Sequence, residues 1–265
     1  MEKCIRCGWR CSTPCPEFCP VCGFQLAVSE VIPNGTASVR CTIPIDQTTS
    51  SSDATTCNPK ITLQFGLGHG ITKGVTVIGV ISILMFVITQ MNPKLFYPMF
   101  GFVPSYALGK FMFWQFVTAN FMHGDIAHLL FNMFGLYTFG GAVEKVLKEK
   151  EFLKYFLVCG AGAYVFTYIL WFTGVIPNNL CLGASAGIYG LLLAFSLLYP
   201  NQKLLLFFAV PMTGKWLAVV FGGLEFVLSF YSSGTSHLGH LGGLLTGMLY
   251  FKINKNVLNQ SRELI

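Results

Sequence analysis

Charged residues are scarce in this sequence. Only 11% of its 265 residues are Asp, Glu, Lys or Arg, whereas ordinary soluble domains contain about a quarter. Hydrophobic residues make up 53% and the mean hydropathy is +0.61, a composition that argues against a water-soluble protein and favours a polytopic membrane protein. The net charge of +6 is modest, and we expect no nucleic acid among the partners.

Paired charges and internal repeats are also missing from the apolar part of the chain. A transporter or channel usually carries charges that pair across spans, or inverted repeats. Here Glu225 stands alone deep within an apolar run, so we disfavour that class. We expect no cleavable signal peptide, because the first twenty residues are cysteine-rich and polar.

Cysteine, in contrast, is concentrated at the N-terminus, where six of the ten cysteines fall in the first 22 residues. Two C-x2-C pairs there have the spacing of zinc knuckles, each bringing two thiolates to one tetrahedral ion. The candidate ligands are Cys4, Cys7, Cys19 and Cys22, with Cys11 and Cys15 as alternatives. We expect residues 1–24 to form a zinc-ribbon-like module that folds only with its metal. The alternative is a disulfide-rich knot, which requires an oxidising compartment.

Long apolar runs recur from residue 72 onward. A membrane span needs roughly 20 helical residues to cross about 30 Å of hydrocarbon. The predicted spans are 73–91, 126–145, 152–174, 183–199, 214–231 and 237–253. We therefore predict an all-α membrane protein with a polar, flexible linker at 25–71, a six-helix domain at 72–255 and a tail at 256–265.

Lysine and arginine lie almost entirely on one side of the predicted bundle. Fifteen of the 17 basic residues precede the first span, follow the second or fourth span, or lie near the C-terminus; Lys94 and Lys110 are the exceptions. By the positive-inside rule both termini are cytoplasmic, and a reducing cytoplasm favours zinc over disulfides. We expect a multi-pass protein of the plasma membrane whose N-terminal module can meet a cytoplasmic partner.

The sequence GASAG at 183–187 opens the fourth predicted span. Its G-x-S-x-G spacing is shared with the nucleophile elbow of soluble hydrolases, but that elbow follows a strand, and here a membrane span begins. This span would reach roughly 25 Å, less than the hydrocarbon thickness, so Ser185 should lie below the outer surface. Free N–H groups at such a helix start can stabilise an oxyanion. The alternative is that the motif serves only helix packing.

The last predicted span offers a base for this serine. His240 is expected near its outward end, at about the depth of Ser185, and an ionisable residue inside a span is a functional candidate. Glycines at four-residue spacing should let the two helices approach closely enough for a hydrogen bond between these side chains. The two sets of glycines are Gly239, Gly243 and Gly247 on the last span, and Gly183 and Gly187 on the fourth. His237 is the rival base.

A third group of polar residues lies at the second span. His123 precedes it, and His128 and Asn132 are i, i+4 neighbours on one helix face. An asparagine amide donates hydrogen bonds without carrying a charge, which suits an oxyanion hole at low dielectric. The alternative is that this pair only fastens helices together.

Taken together, these residues resemble the rhomboid family of intramembrane serine proteases. That family carries GxSx at the start of its fourth core helix, H-x-x-G-x-x-x-G on its sixth, and H-x4-H-x3-N at its second. The matching residues are Gly183 to Ala186, His240 with Gly243 and Gly247, and His123 with His128 and Asn132. The resemblance covers about residues 72–255.

The resemblance implies that Ser185 is a nucleophile and His240 its general base, in a two-residue dyad that needs no cofactor. His240 is preferred over His237 because it alone has glycines three and seven residues later. The supporting residues would be His128, Asn132, Tyr189 and Gly183. The first two would form an oxyanion hole with the Ser185 backbone N–H, and the tyrosine would pack against the histidine ring.

The family's activity implies cleavage of transmembrane segments of other membrane proteins, near the outward face of the bilayer. The alternative is a catalytically inactive relative that binds membrane proteins; such relatives usually lose the serine or the histidine, and both are present here. Two features depart from the pattern. Many relatives have Trp-Arg in the first outward loop where this chain has Trp114-Gln115, which puts loop anchoring in doubt. Glu225 has no role in the dyad, beyond a polar contact between helices.

Overall fold

A computed structural model of the chain describes residues 2–3, 10–11, 71–206, 210–230 and 235–257. The chain divides into two units, residues 1–62 and 63–265. In the first unit the described strands β1 (Glu2–Lys3) and β2 (Arg10–Cys11) pair antiparallel, with Glu2 opposite Cys11. Almost all of the predicted linker, and most of the predicted tail, lie outside the described residues, so these boundaries stay predictions.

The second unit is mainly helical. Its helices are α1 Lys73–Met91, α2 Pro93–Phe100, α3 Pro104–Gly109, α4 Gln115–Thr118, α5 Ile126–Gly135, α6 Gly141–Leu147, α7 Glu149–Phe172, α8 Ser185–Leu198, α9 Gly214–Leu228 and α10 Thr235–Ile253. A 3₁₀ turn at Ala119–Phe121 follows α4, and a π-helical segment at Leu136–Gly140 joins α5 to α6. The loop after α8 forms a hairpin of β3 (Lys203–Leu206) and β4 (Val210–Thr213), which was not predicted.

Three described segments are long and apolar enough to cross a membrane, judged by length and composition. They are Lys73–Met91, Ile126–Leu147 and Glu149–Phe172. The shorter apolar helix α8 has 14 residues. The prediction of a mainly helical membrane protein is therefore confirmed. Each of the six predicted spans coincides with helical structure, but a crossing by all six stays a prediction.

Glu144 of α6 ties the start of α1 into this bundle. Its buried carboxylate accepts hydrogen bonds from the backbone N–H groups of Gly74, at 2.8 Å, and Val75, at 2.9 Å, and from the Thr72 hydroxyl. The first N–H groups of a helix have no partner within the helix, and the helix start carries partial positive charge. A carboxylate there satisfies both needs and fixes where α1 begins.

Helices α7, α8 and α10 pack closely because small residues line their contacts. A methyl group added to Gly243 of α10 would lie 2.2 Å from the carbonyl oxygen of Ala186 in α8. The predicted contact between glycines of α8 and glycines of α10 is wrong in one respect. Gly187 packs against Phe156 of α7, and a methyl group added to Gly187 would lie 2.5 Å from that ring. The turn of α8 presents Ala186, one residue earlier, to α10.

The aromatic segment between α1 and α5 is anchored by Gln115, the residue that departs from the expected Trp-Arg pattern. Gln115 is fully buried. Its amide donates to the carbonyl oxygen of Pro98 at 2.8 Å and accepts from the Val103 N–H at 3.1 Å. Phe102 and Cys181 exchange two backbone hydrogen bonds of 2.8 Å, which tie this segment to the loop before α8. The glutamine thus supplies the anchoring that its departure from the pattern put in doubt.

Candidate active site

Ser185 is the first residue of α8, and the backbone before it is held in a conformation that requires glycine. Gly183 has a φ of +126°, in the region that L side chains rarely adopt. Its N–H donates to the Ala119 carbonyl at 2.9 Å. A methyl group added there would lie 2.8 Å from His128 Nε2 and 3.5 Å from Ser185 Oγ. Glycine is therefore needed both for the turn and for the close approach of the His128 ring to the backbone just before the serine.

The structure brings Ser185 and His240 together. His240 Nε2 lies 2.8 Å from Ser185 Oγ, within hydrogen-bond distance. The close contact of Gly243 with Ala186, three residues after His240 and one after Ser185, sets this distance, because a larger side chain would push the two helices apart. A serine hydroxyl bonded to an imidazole is the arrangement that activates a serine for nucleophilic attack.

Tyr189 fixes the plane of the His240 ring. It lies one turn after Ser185 on α8, and its ring stacks on the imidazole with centroids 4.5 Å apart and an interplanar angle of 10°. Its hydroxyl donates a hydrogen bond to Glu225 Oε1. The tyrosine therefore touches the histidine with its face and a neighbouring carboxylate with its hydroxyl.

Glu225 of α9 joins this group. Its side chain is only 7% exposed, and Oε1 lies 3.0 Å from His240 Nδ1. The distance is short, but His240 Nδ1 has no partner of regular hydrogen-bond geometry among the described residues. Oε2 lies 2.5 Å from Nδ1 of His237. The rival base therefore contacts the glutamate, and among the described residues it is His240 that bonds to Ser185.

The predicted oxyanion residues differ in their placement. His128 lines a cavity of about 300 Å³ together with Ser185 and His240. Asn132, one turn further along α5, is buried and 6% exposed, and its amide nitrogen has no hydrogen-bond partner among the described residues. It does not line the cavity as the described residues define it. His123 is buried against the His128 ring, and burial together with that neighbour lowers the pKa of His123 to about 4.

The rest of the cavity wall combines small residues with larger ones, Tyr164, Leu180 and Leu182 among them. Ala163 and Thr167 of α7 and Gly239 of α10 line it together with the serine and the histidine. The hydroxyl of Thr167 is occupied, since it donates to the Ala163 carbonyl at 2.9 Å. The cavity therefore has room beside the Ser185 hydroxyl for a short extended segment with small side chains.

Two groups of residues contain side chains of the types that bind metal ions. Within the described part of the chain, Glu225, His237 and His240 place one ligand atom each within 4.8 Å of one another. Of the predicted zinc ligands, only Cys11 falls in the described residues, by its backbone alone; Cys4, Cys7, Cys15, Cys19 and Cys22 lie outside them. The zinc module therefore stays a prediction.

Glu225 stands out in the sequence, but no motif gives it a part in the site. The signal was its isolation within an apolar run, where a carboxylate is costly unless donors surround it. What the sequence did not reveal was its partner, because α9 and α10 are separate helices and no motif records their relative rotation.

Known proteins resemble this chain over the same region. The rhomboid domain model matches residues 110–255, more than half of the chain. Rhomboid protein 1, mitochondrial, of Saccharomyces cerevisiae is 32% identical over 156 residues, covering 56% of this chain and 44% of that protein. Presenilin-associated rhomboid-like protein, mitochondrial, of Bos taurus is 24% identical over 198 residues, covering 71% and 51%. Rhomboid protease GluP of Bacillus subtilis is 28% identical over 148 residues, covering 56% and 27%.

These alignments span about half or less of each relative's own length. Two of the names carry the word mitochondrial, so the relatives give no support to the predicted plasma-membrane location. The residues assembled around Ser185 fall inside the matched region. With more than half of its length matched by the domain model, the chain belongs to the rhomboid family.

Proposed function

We propose that the protein is an intramembrane serine endopeptidase, in which Ser185 is the nucleophile and His240 the general base. The observation that carries the proposal is the 2.8 Å contact between Ser185 Oγ and His240 Nε2 at the start of a short apolar helix. A helix of 14 residues is roughly 21 Å long, shorter than the hydrocarbon core. The serine therefore acts below the membrane surface.

In this mechanism a substrate transmembrane helix unwinds and enters the cavity beside Ser185. The serine oxygen attacks a peptide carbonyl carbon while its proton moves to His240 Nε2. Negative charge develops on the carbonyl oxygen, and we assign its stabilisation to His128, Asn132 and the Ser185 backbone N–H. The amide nitrogen of Asn132 has no hydrogen-bond partner among the described residues, and a buried donor without a partner supports that assignment.

The tetrahedral intermediate collapses when the C–N bond breaks and the imidazolium returns its proton to the leaving amine. Water then attacks the acyl-enzyme, again with His240 as base, and frees the new carboxylate and the serine hydroxyl. None of these steps uses a cofactor. Substrates with small residues near the cleaved bond fit best, because such segments unwind readily and the cavity is narrowed by Tyr164, Leu180 and Leu182 in its wall.

The test is reaction of the purified, reconstituted protein with a fluorophosphonate probe and with a reporter transmembrane peptide. Wild-type protein should be labelled at Ser185 and should cleave the peptide. Ser185→Ala should lose both activities, and His240→Ala should reduce cleavage by roughly 10⁴-fold or more. Unlabelled wild-type protein that still binds the peptide would instead support an inactive membrane-protein binder. Peptide cleavage that persists in Ser185→Ala would sink the assignment.

The location and the N-terminal module belong to the same proposal. We assign both termini to the side of the membrane on which most of the basic residues lie, which is predicted to be the cytoplasm. We also assign a structural zinc ion to residues 1–24. This module would bind a partner on the same side. Metal analysis of the purified protein, before and after Cys4→Ser and Cys19→Ser, tests the zinc. Protease protection of tags at each end in sealed vesicles tests the orientation.

A further inference from the structure

We propose that Glu225 is a positioning residue for His240, so that the site works as a serine–histidine–glutamate relay rather than as a two-residue dyad. The inference rests on the proposed protease function. It starts from one observation: a buried carboxylate touches the histidine at Nδ1, the ring nitrogen opposite the one that faces Ser185.

The surroundings of Glu225 are suited to a carboxylate. An ionised carboxylate buried without partners is strongly unfavourable, yet this one has a donor group for each oxygen. Oε1 accepts a hydrogen bond from the Tyr189 hydroxyl and lies 3.0 Å from His240 Nδ1. Oε2 contacts His237 Nδ1. The cluster therefore holds the carboxylate in one orientation, with one edge toward the histidine.

That orientation decides which nitrogen of His240 carries the proton. In a neutral imidazole one ring nitrogen donates and the other accepts. To take the proton of Ser185, Nε2 must be the acceptor, so the hydrogen must sit on Nδ1. A carboxylate beside Nδ1 favours this tautomer, because it attracts the N–H and repels a lone pair. When the serine proton arrives at Nε2, the Nδ1 proton stays in place and Glu225 stabilises the imidazolium without being protonated.

Tyr189 contacts both His240 and Glu225. Its ring stacks on His240 and its hydroxyl holds Oε1 of Glu225, so a single side chain sets both the plane of the imidazole and the position of the carboxylate beside it. His240 Nδ1 has no hydrogen bond of regular geometry among the described residues, although the carboxylate oxygen lies only 3.0 Å away. Catalytic hydrogen bonds are often loose before substrate binds and tighten in the complex.

The experiment compares Glu225→Gln and Glu225→Asp in reconstituted full-length protein. Glutamine keeps the size but replaces the charge, and its amide N–H can donate to Nδ1, which would force the proton onto Nε2. We expect a roughly 10- to 100-fold lower kcat with KM within about twofold, and a parallel fall in the rate of fluorophosphonate labelling at Ser185. Aspartate keeps the charge and should recover at least half of the loss on a logarithmic scale.

Glu151→Gln is the matched control. Glu151 also accepts a hydrogen bond from a tyrosine hydroxyl, that of Tyr250, but it lies at the other end of α7, 16 residues or roughly 24 Å before the cavity residue Thr167. This variant should keep the wild-type kcat and labelling rate. If Glu225→Gln does not accumulate in membranes, Tyr189→Phe tests the same relay, since it removes the hydroxyl that holds Oε1 but keeps the stacked ring; we expect a roughly 3- to 10-fold lower kcat.

The outcomes separate this inference from the function on which it rests. A wild-type kcat in Glu225→Gln, in a protein whose Ser185 is still labelled, would overturn the relay and leave the protease. So would equal losses in the Gln and Asp variants that follow a common drop in thermal stability, because those indicate a packing role. Wild-type protein that is neither labelled nor active would overturn both.

Discussion

Two buried glutamates in this protein show how similar carboxylates can serve different ends. Glu144 and Glu225 are 5% and 6% exposed, and each is surrounded by donors. The donors to Glu144 are two backbone N–H groups and a hydroxyl at the start of α1. The neighbours of Glu225 are two imidazoles and a phenol from α8 and α10.

The difference lies in what the partners can do. Backbone N–H groups neither titrate nor move, so Glu144 holds a helix in place and its removal should lower the stability of the protein. Imidazoles exchange protons and change their tautomer, so Glu225 lies beside groups that can transfer protons. The comparison predicts that changes around Glu144 lower the melting temperature with little effect on kcat. Changes around Glu225 should instead lower kcat with little effect on the melting temperature.

Removal of the Glu144 carboxylate should give the largest effect on stability. Glu144→Ala leaves two buried N–H groups and a hydroxyl without an acceptor, and we expect the free energy of unfolding to fall by about 3 kcal/mol. Thermal denaturation in detergent measures this loss. Protein that remains folded should keep kcat within about twofold. A large fall in kcat at temperatures well below the melting transition would contradict the division between the two glutamates.

His237→Gln should have a smaller effect, on catalysis. The glutamine amide can still donate to Oε2 of Glu225, so the carboxylate keeps most of its orientation, and His237 does not contact Ser185. We expect a roughly 2- to 5-fold lower kcat with an unchanged rank order of substrates, measured with the reporter peptide. A loss as large as that of His240→Ala would make His237 the base and reverse the assignment.

The helices of the second unit could be predicted from the sequence because each apolar run is long and bounded by polar residues. The predicted range 73–91 and helix α1 coincide. The 3.6-residue period of a helix also made Ser185 and Tyr189 neighbours one turn apart. These features depend on local sequence, because each is determined within a single helix.

What depends on the rotation of one helix against another could not be predicted. Gly187 was expected to face α10 but packs on Phe156 of α7, because the helix α8 is apolar all round and no stripe marks which face meets which neighbour. The link between Glu225 and His240 was missed for the same reason. The short helices α2, α3 and α4 have only 8, 6 and 4 residues, too few for a reliable periodic signal, and their order depends on tertiary contacts such as those of Gln115.

The smallest predicted effect concerns a single hydrogen bond, the one between Thr72 and Glu144. Thr72→Val removes the hydroxyl that donates to Glu144 and keeps the size of the side chain, while the N–H groups of Gly74 and Val75 still satisfy the carboxylate. Because Thr72 is only half-buried, water can replace part of the lost bond. We expect the free energy of unfolding to fall by about 0.5–1 kcal/mol.

Thr76→Val is the control for this variant, since the Thr76 hydroxyl bonds within its own helix, to the Thr72 carbonyl at 2.8 Å, on an exposed face. Its melting temperature should stay at the wild-type value in the same detergent, and kcat should be unchanged in both variants. If Thr72→Val lowered kcat while its stability was intact, the start of α1 would be coupled to the chemistry. Glu144 would then be more than a helix cap, and the contrast with Glu225 would be one of degree.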